Sequence, residues 1–243
     1  MYAEEREPPL WRAHSDAINA TFVRRAIGGR SFGRALKTDL FDEATTGGVV
    51  PVMSRAAGAV AGVDISAEVA DGARRRFPGL EVAVGDVRRL PFADGEFDLI
   101  VSLSTLDHLE SVGEIAGAVR ELVRVLAPGG TLALTIDNGA NPVVALRNAL
   151  PAAPLRRAGA VAYEVGPTVG PRRLEQLVRA AGARPRRREA LMHCPRLPAV
   201  ALARRLEPGS HARFLRAAGR FEALAALPTR YVTGYFAAVV ADL

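Results

Sequence analysis

The sequence predicts an α/β fold, a largely parallel sheet covered by helices on both faces. Short apolar runs of strand length alternate with longer amphipathic segments along the first 137 residues, the pattern of strand–helix–strand units. Of the 243 residues 49% are apolar, enough to fill a core beneath such a sheet. The length suits one large domain, or a domain with a cap.

In chain order, residues 10–28 read as an amphipathic helix preceding the sheet. Strands are predicted at Ala35–Phe41, Ala59–Ile65, Leu80–Asp86, Phe97–Leu103 and Thr131–Asp137. Helices are predicted between them at Gly48–Ala57, Ala67–Phe77 and Val112–Leu126. Ser66 is a good N-cap, because its hydroxyl can accept an orphan amide bond of the following first turn. Ala127-Pro128-Gly129-Gly130 stops the third helix, since proline cannot continue it and glycine permits a tight reversal. Further on, Asn138–Pro171 reads as irregular and Arg172–Ala181 as helical. Late strands are expected near Glu189–His193 and in Tyr231–Val240, the latter as a closing hairpin.

Composition excludes several classes. A single cysteine, Cys194, rules out a disulfide framework and a thiolate zinc site. His193 and His211 lack metal-ligand spacing and read as structural, so no metal is expected. No apolar run reaches the roughly 18 residues of a spanning helix, so no membrane partner is expected. The acidic start Met1–Glu7 does not resemble a secretory signal, and a cytoplasmic location is expected. Net charge is +6 but unevenly placed: residues 1–140 hold 15 basic and 20 acidic side chains, residues 141–243 hold 17 and 6. The arginine runs (Arg172-Arg173, Arg186-Arg187-Arg188, Arg204-Arg205) lack interleaved aromatics to stack on bases, which argues against nucleic acid. Oligomeric state is not legible.

Three predicted strands end in carboxylates: Asp39, Asp64 and Asp86. In an open parallel sheet the C-terminal strand ends converge on one edge, where ligands bind at the reversal of strand order. A carboxylate after the second strand is placed for the two hydroxyls of a ribose. Asp86 is placed for an exocyclic amine such as that of adenine, with the Val87 backbone beside the ring edge. Strand-end acids also serve simply as turn formers. A dinucleotide would need a glycine-rich turn facing its pyrophosphate. Here the first loop, Asp39 to Gly48, carries Asp39, Asp42 and Glu43. That charge repels phosphate and suits an ammonium and a sulfonium, as in S-adenosylmethionine.

The segments AGVDIS, GDVRRLPFADGEFDLIVS and RELVRVLAPGG resemble those of the class I S-adenosylmethionine-dependent methyltransferases, in their small-molecule branch. The likeness covers residues 35–137. It implies a Rossmann-like seven-stranded mostly parallel sheet with a helical lid, divided into an N-terminal cap (1–34), a cofactor core (35–137) and a substrate lid with closing strands (138–243). It also implies that Asp64, with Ile65 beside it, holds the ribose and that Asp86 and Val87 meet the adenine. One departure stands out. Asp39 matches the acid of the family's first turn, but Phe41 and Glu43 stand where its first two glycines belong. Gly47 falls where the last should be, so the loop is two residues longer. Asp39, Asp42 or Glu43 is left to take the cofactor's amino group.

After the fourth strand, Ser102 to Leu109 is the segment that borders the transferable methyl in similar enzymes. It lacks the Asn/Asp-Pro-Pro-Tyr/Phe string of base amino-methylation. His108 could take a proton from an incoming hydroxyl, oriented by Asp107, or could simply be packed under the sheet edge. His14, on the N-terminal helix, could contact substrate or act as a base; an exposed helix histidine is the competing reading. Trp11 and Phe22 read as hydrophobic cover. The turn Asp137–Pro142 could present amides to a substrate. The expected function is methyl transfer to an oxygen, nitrogen or carbon of a small molecule, in specialised metabolism. The alternatives are a non-methylating enzyme using the cofactor as a fixed charge, and an accessory protein without cofactor.

Overall fold

A computed structural model describes residues 8–150 and 166–243. The acidic start, read as unlike a secretory signal, and residues 151–165 of the predicted irregular stretch lie outside the described residues. The elements run α1 (Pro9–Ile27), β1 (Phe32–Thr38), α2 (Phe41–Thr45), α3 (Val50–Met53), β2 (Ala57–Asp64), α4 (Ala67–Arg76) and β3 (Glu81–Val84). They continue with β4 (Phe97–Leu103), α5 (Val112–Val125), β5 (Leu126–Asp137), α6 (Pro142–Ala149), α7 (Pro171–Ala180) and β6 (Arg184–Leu191). The chain closes with α8 (Arg196–Ala203), α9 (His211–Arg220), α10 (Arg230–Thr233) and β7 (Phe236–Asp242).

One seven-stranded sheet has the order β3-β2-β1-β4-β5-β7-β6. The first five pair in parallel, and β7 lies antiparallel between β5 and β6. Strand order reverses between β1 and β4, so their C-terminal ends flank the crevice where such sheets bind ligands. The fold class expected from the sequence is therefore the one observed.

Local chemistry accounts for the element ends. Ser66 caps α4 as expected, its hydroxyl accepting the Val69 amide at 3.3 Å. Ser111 does the same for α5 with the Glu114 amide at 3.1 Å. Several expectations need correction. β5 begins at Leu126 and takes the expected 127–130 turn into the strand. Within Asn138–Pro171 a helix forms, because Asn141 accepts the Val143 amide at 2.9 Å and Pro142 supplies a pre-set first turn. Tyr231–Val240 forms no hairpin: Arg230–Thr233 is helical and only β7 is extended. The helix expected over Gly48–Ala57 is the single turn Val50–Met53.

The sheet buries both faces. On one, Ile115 and Leu122 of α5 and Leu174 and Val178 of α7 pack with Ile100 and Leu132. On the other, Phe22, Val23 and Ile27 of α1 and Met53 of α3 pack with Leu99 and Val101. A third cluster sits at the carboxyl edge: Leu10 and Trp11 of α1, Ala199 of α8, Phe214 of α9, Met192 and Tyr235. α1 thus enters two cores along its length, which makes it a bridge from sheet to cap rather than a one-faced surface helix.

Candidate active site

Three described non-glycine residues have positive φ: Asp39 (61°), Ser104 (52°) and Met192 (62°). They follow β1, β4 and β6, whose C-terminal ends share the carboxyl edge. Each conformation costs roughly 1–3 kcal/mol, and such strain persists where surrounding structure over-determines it, often at functional sites. All three line cavities. The tie between the two central strands is direct, with Thr38 Oγ1 2.9 Å from Thr105 Oγ1.

Two cavities meet at this edge. The smaller, about 210 Å³, is walled by Asp64, Ile65, Asp86, Val87, Arg88 and His108 among others. The larger, about 450 Å³, runs beneath the cap between Trp11, Phe41, Ser104, Met192, Arg196 and Tyr235. Asp39, Asp64, Ile65 and His108 belong to both walls.

Asp64 is built into the frame. Its Oδ2 accepts the Leu40 amide and its Oδ1 the Ser66 amide, both at 2.8 Å. Each carboxylate oxygen keeps a lone pair for a further donor. Ile65 is 70% exposed, an apolar side chain left bare beside that acid. Asp86 lies at the far end, where Arg88 Nη2 approaches its Oδ2 at 2.6 Å and Glu114 holds the same guanidinium at 2.9 Å. The Arg88 hydrogen bonds keep the Asp86 carboxyl below its usual range.

Asp39 accepts the Phe41 amide at 3.1 Å. Burial pushes its carboxyl up to about 7, against the pull of Lys37. Across the larger cavity, burial and then the charge of Asp42 raise Asp16 to about 6. Burial lowers His108 below the ordinary histidine value, Asp137 and Asp64 opposing the shift, so the imidazole is neutral at pH 7.

Of the other expected site residues, Phe41 reaches a cavity wall and the rest lie elsewhere. Glu43 is wholly buried, its Oε1 accepting the Val49 amide at 2.9 Å and its Oε2 3.7 Å from Lys37 Nζ. It lines neither cavity, nor does Gly47. Ser102 is buried in β4, its hydroxyl without a partner among the described residues. His14 is not the exposed helix histidine of the competing reading: it is buried, its ring 5.3 Å from that of Trp11, and it lines neither cavity. Asp107 does not orient His108 through its Oδ1, which accepts the Asp137 amide at 2.6 Å. Asn138 donates to the Tyr231 and Gly234 carbonyls at 2.8 and 2.9 Å, tying the turn to the cap. Phe41 lies on the wall of the larger cavity under the Arg12 guanidinium, 5.2 Å from its ring centre. His193 is structural, bonded to Thr233 at 2.8 Å and the Ala190 carbonyl at 3.0 Å.

Sequence reasoning missed a stripe. Trp11, Arg12, Ser15, Asp16 and Asn19 all line the larger cavity, spaced as one face of a helix. That periodicity was available in the sequence. Arg196 and Tyr235 carried no comparable signal.

Comparison with known proteins is consistent with this geometry. Residues 44–134 match the family model described as a methyltransferase domain. A demethylmenaquinone methyltransferase of Beutenbergia cavernae is 45% identical over 65 residues, 26% of this chain and 25% of that protein. The probable tRNA methyltransferase 9B of Mus musculus is 39% identical over 75 residues, 31% of this chain and 16% of that protein. The chain thus spans a quarter or less of the length of these two curated relatives. Among solved structures, N-methyltransferase NodS from Bradyrhizobium japonicum WM9 in complex with S-adenosyl-L-homocysteine superposes with a TM-score of 0.57 at 14% identity, covering 97% of this chain and 88% of that one. No helix among the described residues is long and apolar enough to cross a membrane. Residues 44–134 are thus similar to a methyltransferase domain, and the Rossmann-like seven-stranded fold around them is the fold seen in NodS.

Proposed function

We propose that this protein transfers a methyl group from S-adenosylmethionine to a small molecule held under the cap. The observation that carries the reading is the meeting of the two cavities along Asp39, Asp64, Ile65 and His108 at the point where strand order reverses. The donor set fits the cofactor. Asp64 accepts the ribose hydroxyls, Ile65 and Val87 flank the base, and Asp86 takes the exocyclic amine. Asp39 and Asp42, both on the wall of the larger cavity, receive the ammonium. Glu43, Gly47 and Ser102 support the loop and strand from behind. The cap helix, the core and the later lid act as three parts of one unit, divided near residues 34 and 137.

The cofactor supplies a methyl carbon already activated by positive sulfur, so the acceptor's electron pair forms the new bond while the old one leaves on sulfur. What remains for the chain is placement, exclusion of water and proton handling. Trp11, Phe41 and Met192 wall the acceptor space, and neutral His108 can receive a proton from a protonated nucleophile. His14, behind Trp11, shapes that wall.

A small acceptor suits the arginines as well. Arg186 donates to the Ala26 carbonyl at 2.7 Å, Arg187 pairs with Glu189 at 3.1 Å, and Arg188 pairs with Glu175. The run ties β6 to α1 and α7 instead of tracking a phosphate backbone. Isothermal titration with S-adenosylmethionine, followed by mass spectrometry for a gain of about 14 Da on candidate acceptors, tests the proposal. Absence of binding would leave an accessory protein; binding with product rearranged but not enlarged would leave a non-methylating enzyme.

A further inference from the structure

The amino-acid end of the proposed cofactor carries two opposite charges on one carbon, an ammonium and a carboxylate. Asp39 and Asp42 suit the ammonium, and with Asp16 they place three acids on the wall of the larger cavity. A carboxylate brought to the same place is repelled unless a cation and its hydrogen-bond donors meet it.

The cap helix supplies such a cation. Arg12 of α1 is half-buried on the wall of the larger cavity and reaches the first loop. Its Nη1 donates to Thr45 Oγ1 at 2.9 Å, and its guanidinium lies over the Phe41 ring, 5.2 Å from the centre. The Thr45 hydroxyl donates in turn to the Phe41 carbonyl at 2.8 Å, so the two residues that seat Arg12 are tied together. Its charge acts on Asp16, one turn along α1, as the last of the influences on a carboxyl that burial and then Asp42 raise to about 6. Trp11 is buried in the cap core and Phe22 in the core beneath the sheet, which fixes the helix that carries Arg12.

Stacking on Phe41 and the bond to Thr45 pre-set the plane of the fork, so less freedom is lost when it pairs with a planar anion. Phe41, which stands where the family pattern has glycine, thereby becomes the platform for a cap arginine. Arg196, the other guanidinium on this wall, is engaged away from the first loop. Its Nη1 donates to the Tyr235 hydroxyl at 3.3 Å, it stacks 5.3 Å from the Tyr235 ring centre, and its charge acts on buried Asp137.

We infer that Arg12 binds the carboxylate of the cofactor's amino-acid end, beside the acids that take its ammonium, so that a residue of the cap completes the cofactor site. The inference rests on the proposed methyl-transfer reading and names the cation which that reading leaves unassigned.

The test compares S-adenosylhomocysteine with its decarboxylated counterpart, which keeps the adenosyl group, the sulfur and the amine and lacks only the carboxylate. Binding to the full chain is measured by titration calorimetry at neutral pH. The wild-type protein is expected to prefer S-adenosylhomocysteine by at least about tenfold. Arg12→Gln should reduce that preference to about twofold or less, with the decarboxylated ligand bound at least as well as before, and Arg12→Lys should keep part of it. Arg196→Gln should keep it whole. Reading the ratio of the two ligands within one variant separates the carboxylate contact from any general loss of folding. No preference in the wild type, an undiminished preference in Arg12→Gln, or its loss in Arg196→Gln would overturn the inference and leave methyl transfer standing. Binding of neither ligand to the wild type would overturn the methyl-transfer reading, and this inference with it.

Discussion

The Glu43 carboxylate accepts the Val49 amide at 2.9 Å and makes the altered first loop an internally braced structure rather than a ligand contact. Lys37, the only lysine, lies 3.7 Å from the other carboxylate oxygen and donates to the carbonyl of Thr38 at 2.6 Å. Gly48 completes the device: its φ is +51°, and a Cβ there would stand 2.1 Å from Glu43 Oε1. Where the family pattern brings bare glycine backbone to the cofactor, this chain encloses an acid behind the loop and leaves Asp39 and Asp42 in front.

Replacing Glu43 by glycine therefore weakens the fold before it affects the ligand. The Val49 amide loses its acceptor and Lys37 its counter-charge. The expected cost is about 1–3 kcal/mol of unfolding free energy in urea. Cofactor affinity of the folded fraction should change much less. A variant with unchanged stability and markedly altered affinity would place Glu43 at the ligand after all.

Asp39 makes binding and stability respond to pH in opposite senses. Its folded carboxyl titrates near 7 because of burial, against about 3.9 in an unfolded chain. The folded protein thus holds a proton that the unfolded chain has released between those values. This group's effect on stability is absent below about pH 4 and becomes increasingly unfavourable as pH rises toward 7. An arriving ammonium reverses the preference, so cofactor affinity should climb from pH 5.5 to 7.3, below the range where the ligand's own α-amino group titrates. Proton release measured by calorimetry in two buffers should accompany it. Asp39→Asn should flatten both trends; persistence of the slope in that variant, but not in Asp16→Asn, would transfer the role to Asp16.

At Asp64 the two functions overlap. Asparagine can accept only through one oxygen, and its amide nitrogen would face either the Leu40 or the Ser66 N–H. Asp64→Asn should weaken cofactor binding by about 1–3 kcal/mol, with a smaller loss of stability. Fluorescence titration together with a thermal melt separates the two. Full affinity in a correctly folded variant would remove Asp64 from the ribose position.

The legibility of this protein follows the range of its interactions. β4 falls on its expected bounds because Phe97–Leu103 is a nearly unbroken apolar run between turns. β1 ends at Thr38, three residues earlier than expected, because Asp39 adopts a left-handed conformation that apolar patterning does not encode. The strand-end acids were visible because strand and acid are adjacent in sequence. Glu43 was misplaced because its destination depends on Lys37 and Val49, which only the folded loop brings together. Arg196 and Tyr235 were invisible for the same reason at longer range. Packing of Trp11, Phe214 and Ala199 in the cap core sets their positions, and no local spacing reports it.

His108 offers the sharpest kinetic test. It is common to both cavity walls, and burial keeps it below the ordinary value of 6.5. A base so placed works in its neutral form, so kcat should fall only as the imidazole protonates, at a pH lower than that ordinary value, and stay level above it. His108→Ala should lower kcat by about 100-fold or more for an acceptor that must lose a proton, while the Kd for S-adenosylmethionine stays within about threefold. With an acceptor already deprotonated at working pH, the same substitution should cost little. Equal losses for both acceptors, with Kd raised in step, would instead make His108 a wall of the cofactor pocket rather than a group that moves a proton.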